Sequence, residues 1–193
     1  MSHYFISDPD VKNVEYLVKF NLLNREIELN SASGVFCKDR VDKGSYLLLQ
    51  EAVKLPLFGK VLDFGAGIGT IGITLNLFFS ELELTYCEIN RRAIELIKKN
   101  LNKYSLNGTI VEKISEIKLF DFAFLNPPIR IGKENIFNIY KDIYESLKEN
   151  GEFYIVIRKD KGMLSHKAFL ETIFKKVEVI GKDKGYFVLK MIK

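Results

Sequence analysis

Phe120-Asp121-Phe122-Ala123-Phe124-Leu125 is an apolar run that ends in an Asn126-Pro127-Pro128 corner, followed by Ile129, Arg130 and a basic, glycine-containing loop. Two prolines have fixed φ and no N–H, so a strand ladder must stop there. Pro127 also pushes Asn126 towards an extended conformation. The corner is therefore stiff. It holds the Asn126 carboxamide and nearby carbonyls at a strand end, as acceptors with no structural partner evident in the sequence. Acceptors so placed suit an amino group. If Asn126 Oδ1 and the Pro127 carbonyl each accept one N–H, an exocyclic amine pyramidalises and its lone pair is aimed for in-line displacement, which needs alignment more than a strong base.

A second constellation is Asp63-Phe64-Gly65-Ala66-Gly67-Ile68-Gly69, placed between a short apolar run and a helical pattern. Glycines there let the chain turn sharply and let a ligand lie against backbone. Dinucleotide proteins use Gly-x-Gly-x-x-Gly with a pyrophosphate on the helix N-terminus. The spacing here is Gly65-x-Gly67-x-Gly69. It suits S-adenosylmethionine, which has no phosphate. Asp63, near the turn, is placed to help hold the ammonium of that cofactor. Burying even a neutral polar group unpaired costs on the order of 2–7 kcal/mol, so a bound partner for Asp63 is the economical expectation. Glu88 ends the next strand, where its two carboxylate oxygens suit a ribose diol.

The elements that must position these residues follow from periodicity. Val14–Phe20 and Arg25–Asn30 alternate partly and predict an antiparallel hairpin. Residues 31–44 form a connector, and a helix follows from about Ser45 to Leu55, with Ser45 as N-cap, Leu47, Leu48 and Val53 inward, and Pro56 as its stop. Strands are then expected at Val61–Phe64, Leu82–Glu88, Thr109–Glu112, Phe120–Leu125 and Phe153–Ile157. Helices are expected at Thr70–Phe79, Arg91–Asn102, Ile136–Leu147 and His166–Phe174. Lys176–Ile180 and Tyr186–Lys190 form a terminal pair. The alternation predicts an α/β fold: a Rossmann-like, doubly wound, mostly parallel sheet with an antiparallel edge strand and a short N-terminal β-hairpin extension. Residues 1–44 would be the extension and connector, and 45–193 the main domain.

Composition narrows the class. The chain has 193 residues, 47% hydrophobic and 28% charged, which is ordinary for one globular domain. No apolar run approaches the roughly 20 residues of a membrane span, and Met1–Asp8 lacks a signal pattern, so a cytoplasmic protein is expected. Two cysteines, Cys37 and Cys87, and two histidines, His3 and His166, are too few and too scattered for a metal site or disulfide framework. The net charge of +4 permits an anionic partner without requiring one.

Asp63–Gly69, Glu88 and Asn126-Pro127-Pro128 together resemble the class I, Rossmann-like S-adenosylmethionine-dependent methyltransferases that modify amino groups. Asn126–Lys133, with His3-Tyr4-Phe5 and Phe36–Ser45 upstream, resembles more narrowly the small-domain methyltransferases. That family includes the small-subunit ribosomal RNA guanine-N2 methyltransferases. The resemblance implies that Asp63, Gly65, Ala66, Gly67, Ile68, Gly69, Glu88 and Ile89 line the cofactor, with Lys43 and Gly44 beside its methionine end. It implies that Asn126, with Pro127 and Pro128, orients the target amine. The acid that such enzymes often carry after the third strand has no clear counterpart in Val111–Ser115, which leaves the adenine to Glu112 or to backbone.

An RNA substrate, ribosomal by this resemblance, would meet Lys38, Arg40, Arg130 and Lys133, with Arg158, Lys159 and Lys161 on the same rim. Ile129 is placed to wedge beside a base drawn out of its helix. DNA adenine and protein glutamine methyltransferases share the Asn-Pro-Pro turn but commonly follow it with an aromatic residue, where this chain has Ile129. A nucleotide-binding module without transferase activity is the alternative from another class. An NAD-dependent oxidoreductase would need its third glycine elsewhere.

Overall fold

The computed structural model describes residues 14–36, 39–114 and 119–193. The expectations placed on His3, Tyr4, Phe5, Cys37 and Lys38 lie outside these residues. Strands β1 (Glu15–Leu22) and β2 (Arg25–Ala32) pair antiparallel as a two-stranded hairpin. Leu23 and Asn24 turn it with φ of 45° and 64°, the left-handed pair that a two-residue turn between right-twisted strands requires. Helix α1 (Lys43–Ala52) follows. Strands β3 (Lys60–Phe64), β4 (Glu83–Cys87), β5 (Thr109–Val111), β6 (Phe120–Leu125) and β7 (Leu147–Arg158) run parallel. Between them lie α2 (Thr70–Phe78), α3 (Arg91–Lys103) and α4 (Lys133–Ser146). After β7 come α5 (Met163–Leu170), β8 (Lys176–Asp183) and β9 (Tyr186–Ile192).

The seven-stranded sheet has the order β5-β4-β3-β6-β7-β9-β8. The terminal pair supplies the antiparallel edge, with β9 inserted between β7 and β8 and antiparallel to both. Period-two alternation divides the core between two faces. Val61, Leu84, Tyr86, Phe122, Phe124, Tyr154, Val156 and Val188 face the hairpin, α1, α2 and α3. Leu62, Ala123, Leu125, Phe153, Ile155, Ile157, Leu189 and Met191 face α4 and α5. The strands between β4 and β9 are thus buried on both sides, which explains their near-continuous apolar runs.

Two boundaries differ from expectation. Helix α1 starts at Lys43, because the Asp42 side chain, rather than Ser45, caps it by accepting from Gly44 N–H (2.8 Å) and Ser45 N–H (3.1 Å). It ends at Ala52, well before Pro56. The hairpin is also no free appendage. Val18, Leu22, Ile27, Leu29 and Ala32 belong to the same apolar cluster as α1, α2 and α3. Asn100 of α3, fully buried, ties the hairpin to the glycine loop. Its Oδ1 accepts from Asn30 N–H (2.7 Å) and Asn30 Nδ2 (2.9 Å), while its Nδ2 donates to the Asn30 carbonyl (3.0 Å) and the Ile68 carbonyl (3.0 Å). Every polar group of one buried amide is thereby used.

Candidate active site

The glycine loop leaves the carboxyl end of β3 and folds onto the end of β4. Gly65 N–H donates to the Cys87 carbonyl (2.8 Å), and Gly67 N–H donates to Glu88 Oε2 (2.8 Å). Glu88 Oε1 accepts from Ile89 N–H (2.8 Å) and Asn90 N–H (2.9 Å), so one carboxylate joins the loop after β3 to the loop after β4. Gly67 has φ of +58°, and a Cβ built there meets nothing within 4 Å. A side chain on Gly67 would project into open space. That space is a hollow of about 380 Å³ along the carboxyl ends of β3, β4, β6 and β7, bordered by Gly65, Gly67, Glu88, Asn126 and Pro127. Its position and size are those of a ligand crevice in an open α/β sheet.

Asn126 follows β6 at the middle of this crevice. Its Nδ2 donates to Asp42 Oδ2 (3.0 Å) and to Ser45 Oγ (2.9 Å), at the start of α1. A carboxylate can only accept, so the amide is fixed with its nitrogen towards α1. That leaves the carbonyl oxygen Oδ1 as the acceptor of a residue that borders the hollow. Donation to a negative oxygen also enriches Oδ1 and strengthens it as an acceptor. Asp42 Oδ2 thus serves three donors, the two first-turn N–H groups of α1 and the Asn126 amide. Sequence reasoning missed Asp42. Its signal was present, since an Asp two and three residues ahead of Gly44 and Ser45 is a strong N-cap pattern.

Several expected residues lie elsewhere. Asp63 does not border the hollow. It is 1% exposed, and its Oδ2 accepts from Gly72 N–H (2.8 Å) in the first turn of α2. Its Oδ1 and the hydroxyl of neighbouring Tyr86 find no hydrogen-bond partner among the described residues. Burial pushes the Asp63 carboxyl up to about 7, against the pull of the Gly72 N–H, with the charge of Glu88 adding to the rise. Ala66, Ile68 and Gly69 are buried behind the loop. Ile89, 43% exposed, Lys43 and Glu112 are not among the residues that border the hollow. Gly44 is buried at the start of α1. A Cβ there would come within 2.9 Å of Asp42 Oδ2 and 3.1 Å of Tyr186 Cε1, so it is a close-approach position rather than a lining one.

On the rim, Pro128, Ile129, Arg130, Arg158 and Lys161 border the hollow, together with Val35, Phe36 and Tyr186. Pro128 leads into a single 3₁₀ turn over Ile129–Ile131. Lys133 sits instead with its ammonium 5.3 Å from the Phe137 ring centre, and Arg40 pairs with Asp39 at 3.9 Å. Among the described residues no cluster of three His, Cys, Asp or Glu is able to hold a metal, and no helix is long and apolar enough to cross a membrane.

A family model for the methyltransferase small domain matches residues 26–190. The chain belongs to the methyltransferase small-domain family. This small-domain methyltransferase is 37% identical over 197 residues to the uncharacterised protein YbxB of Bacillus subtilis strain 168, covering 97% of this chain and 96% of that one. It is 30% identical over 190 residues to ribosomal RNA small subunit methyltransferase C of Actinobacillus pleuropneumoniae serotype 7, covering 94% of this chain and 56% of that one. The chain therefore spans about half the length of the ribosomal RNA methyltransferases it matches. Among solved structures it superposes on T. thermophilus 16S rRNA N2 methyltransferase RsmC, in complex with AdoMet and guanosine, with a TM-score of 0.80. That match has 23% identity and covers 96% of this chain and 52% of the other. A methyltransferase from Pyrococcus furiosus gives a TM-score of 0.65 at 19% identity. The Rossmann-like methyltransferase fold expected from the strand–helix alternation is the fold found.

Proposed function

We propose that this small-domain methyltransferase moves a methyl group from S-adenosylmethionine to an exocyclic amino nitrogen of an RNA base, with guanine N2 of ribosomal RNA as the preferred target. The observation that carries the reading is the Asn126 amide. Asp42 and Ser45 occupy its nitrogen, which leaves the polarised oxygen for a target amine, and Asn126 borders the same hollow as Gly67 and Glu88. The residues present fit the cofactor. Gly65 and Gly67 keep the cradle free of side chains, and Glu88, which borders the same hollow, would hold a ribose diol. When bound, S-adenosylmethionine supplies an electrophilic sulfonium methyl.

Asn126 Oδ1 and the Pro127 carbonyl accept the two N–H bonds of the target amine and turn its lone pair towards the cofactor side of the crevice. The diproline corner keeps both acceptors in place, so little reorganisation accompanies attack. Arg130, Arg158 and Lys161 on the rim supply positive charge for flanking phosphates. The RNA assignment draws on the ribosomal RNA methyltransferases among the relatives.

The test is to incubate the protein with S-adenosylmethionine labelled in its methyl group and separate pools of RNA, DNA and protein. Label should enter RNA and be recovered as N2-methylguanine after hydrolysis. Label confined to DNA or protein overturns the substrate, and absence of label from all three overturns the transfer.

A further inference from the structure

Tyr186 and Arg158 border the hollow, yet nothing in the amine-holding geometry uses the ring. Arg158 ends β7 and Tyr186 begins β9, and the two are direct partners in the antiparallel ladder. Their side chains therefore stand on the same face of the sheet. The guanidinium lies 5.4 Å from the ring centre, a cation–π distance, and Arg158 Nε also pairs with Asp160 Oδ1 at 3.0 Å. The ring is held at the rim from two sides. Behind it, the turn over Lys184 and Gly185 is pinned by Lys159 N–H donating to the Gly185 carbonyl (2.8 Å). In front, its edge meets the first turn of α1, where a Cβ on Gly44 would lie 3.1 Å from Tyr186 Cε1 and 2.9 Å from Asp42 Oδ2. Tyr186 thus touches the same turn whose Asp42 fixes Asn126.

Asn126 follows β6 and Tyr186 begins β9, two strands away across β7, so the amide and the ring border the same hollow from different strands.

We propose that the Tyr186–Arg158 pair is the platform on which the acceptor base stacks once it has left its helix, so that this pair selects a planar heteroaromatic acceptor. The inference rests on the amine reading of Asn126. Stacking needs a π-face and tolerates loss of the phenol hydroxyl, whereas branched aliphatic bulk does not replace it.

The experiment measures KM and kcat for methyl transfer to unmodified small-subunit ribosomal RNA transcribed in vitro, with S-adenosylmethionine affinity followed separately by calorimetry. Tyr186→Ala should raise KM for RNA by about tenfold to a hundredfold, with cofactor affinity changed by less than about twofold. Tyr186→Phe should recover most of that loss, and Tyr186→Leu, of comparable bulk, should not. A Leu variant as good as Phe assigns the residue to packing and overturns the platform. A Tyr186→Ala protein with unaltered KM, in a preparation whose wild type labels RNA, overturns the platform alone. A wild type that labels protein, or nothing, removes the amine reading beneath it. Should the Ala variant misfold, the Phe and Leu pair still decides.

Discussion

At the scale of single residues, the proposed transfer depends on which end of the Asn126 amide faces the crevice. Asn126→Ala should leave cofactor affinity within about twofold and raise the barrier to transfer by about 2–4 kcal/mol, as removal of a preorganised polar contact does. Single-turnover kinetics with saturating cofactor would show it. Asp42 carries a second prediction, because it both caps α1 and orients Asn126. Asp42→Ala should cost about 0.5–2 kcal/mol of stability from the lost cap and lower turnover by more than tenfold, or roughly 1.4 kcal/mol of barrier. Asp42→Asn still caps, so thermal melts should return towards wild type while turnover recovers only in part. Asn126 was legible in the sequence because two prolines mark a forced corner. Asp42 was legible as a cap but not as the partner of Asn126, which lies 84 positions away and which only the fold brings beside α1. Asp63 was half legible: an acid in an apolar strand reads as a group in need of a partner, and a helix N–H meets one of its two oxygens.

At the scale of elements, the loop after β3 and the order of the last strands matter most. Gly67 combines a left-handed φ with open space on the cofactor side. Gly67→Val introduces a β-branched residue at a φ it disfavours, costing about 1–3 kcal/mol. The same substitution places bulk in the crevice, so calorimetry should show S-adenosylmethionine affinity falling by about a hundredfold or more, corresponding to about 2.7 kcal/mol. Unchanged affinity would remove the loop from the cofactor site. Strand and helix positions were readable because period two and period 3.6 alternate clearly along the chain. The insertion of β9 between β7 and β8 was not stated by chain order. Its trace was composition: Tyr186-Phe187-Val188-Leu189-Lys190-Met191-Ile192 is nearly continuous apolar sequence, as an interior strand is, whereas β8 keeps charged residues exposed, as an edge does.

At the scale of the whole molecule, two buried groups set opposite limits on stability with pH. Asp63 has its carboxyl raised by burial from 3.8 to about 7. The folded state therefore binds its proton more tightly than the unfolded state, and the contribution is full below 3.8 and lost as pH rises through about 7. His166, whose Nδ1 lies 2.8 Å from the Tyr140 hydroxyl, is lowered by burial and then by Lys133, from 6.5 to about 4. Its contribution is full above 6.5 and lost as pH falls through about 4. Asp63→Asn keeps an acceptor for Gly72 N–H and adds a donor near Tyr86. It should raise the melting temperature most at pH 8, less at pH 5, and converge with wild type only below about 3.8, and equal gains at pH 8 and pH 5 would place the effect outside titration. The N-terminal hairpin acts on this scale too, through Asn100, whose amide grips Asn30 on one side and Ile68 on the other. The ribbon is a buttress for the glycine loop, so prying it loose by a protease cut or a graft should slacken that loop, and with it the proposed hold on the methyl donor, before the sheet itself lets go.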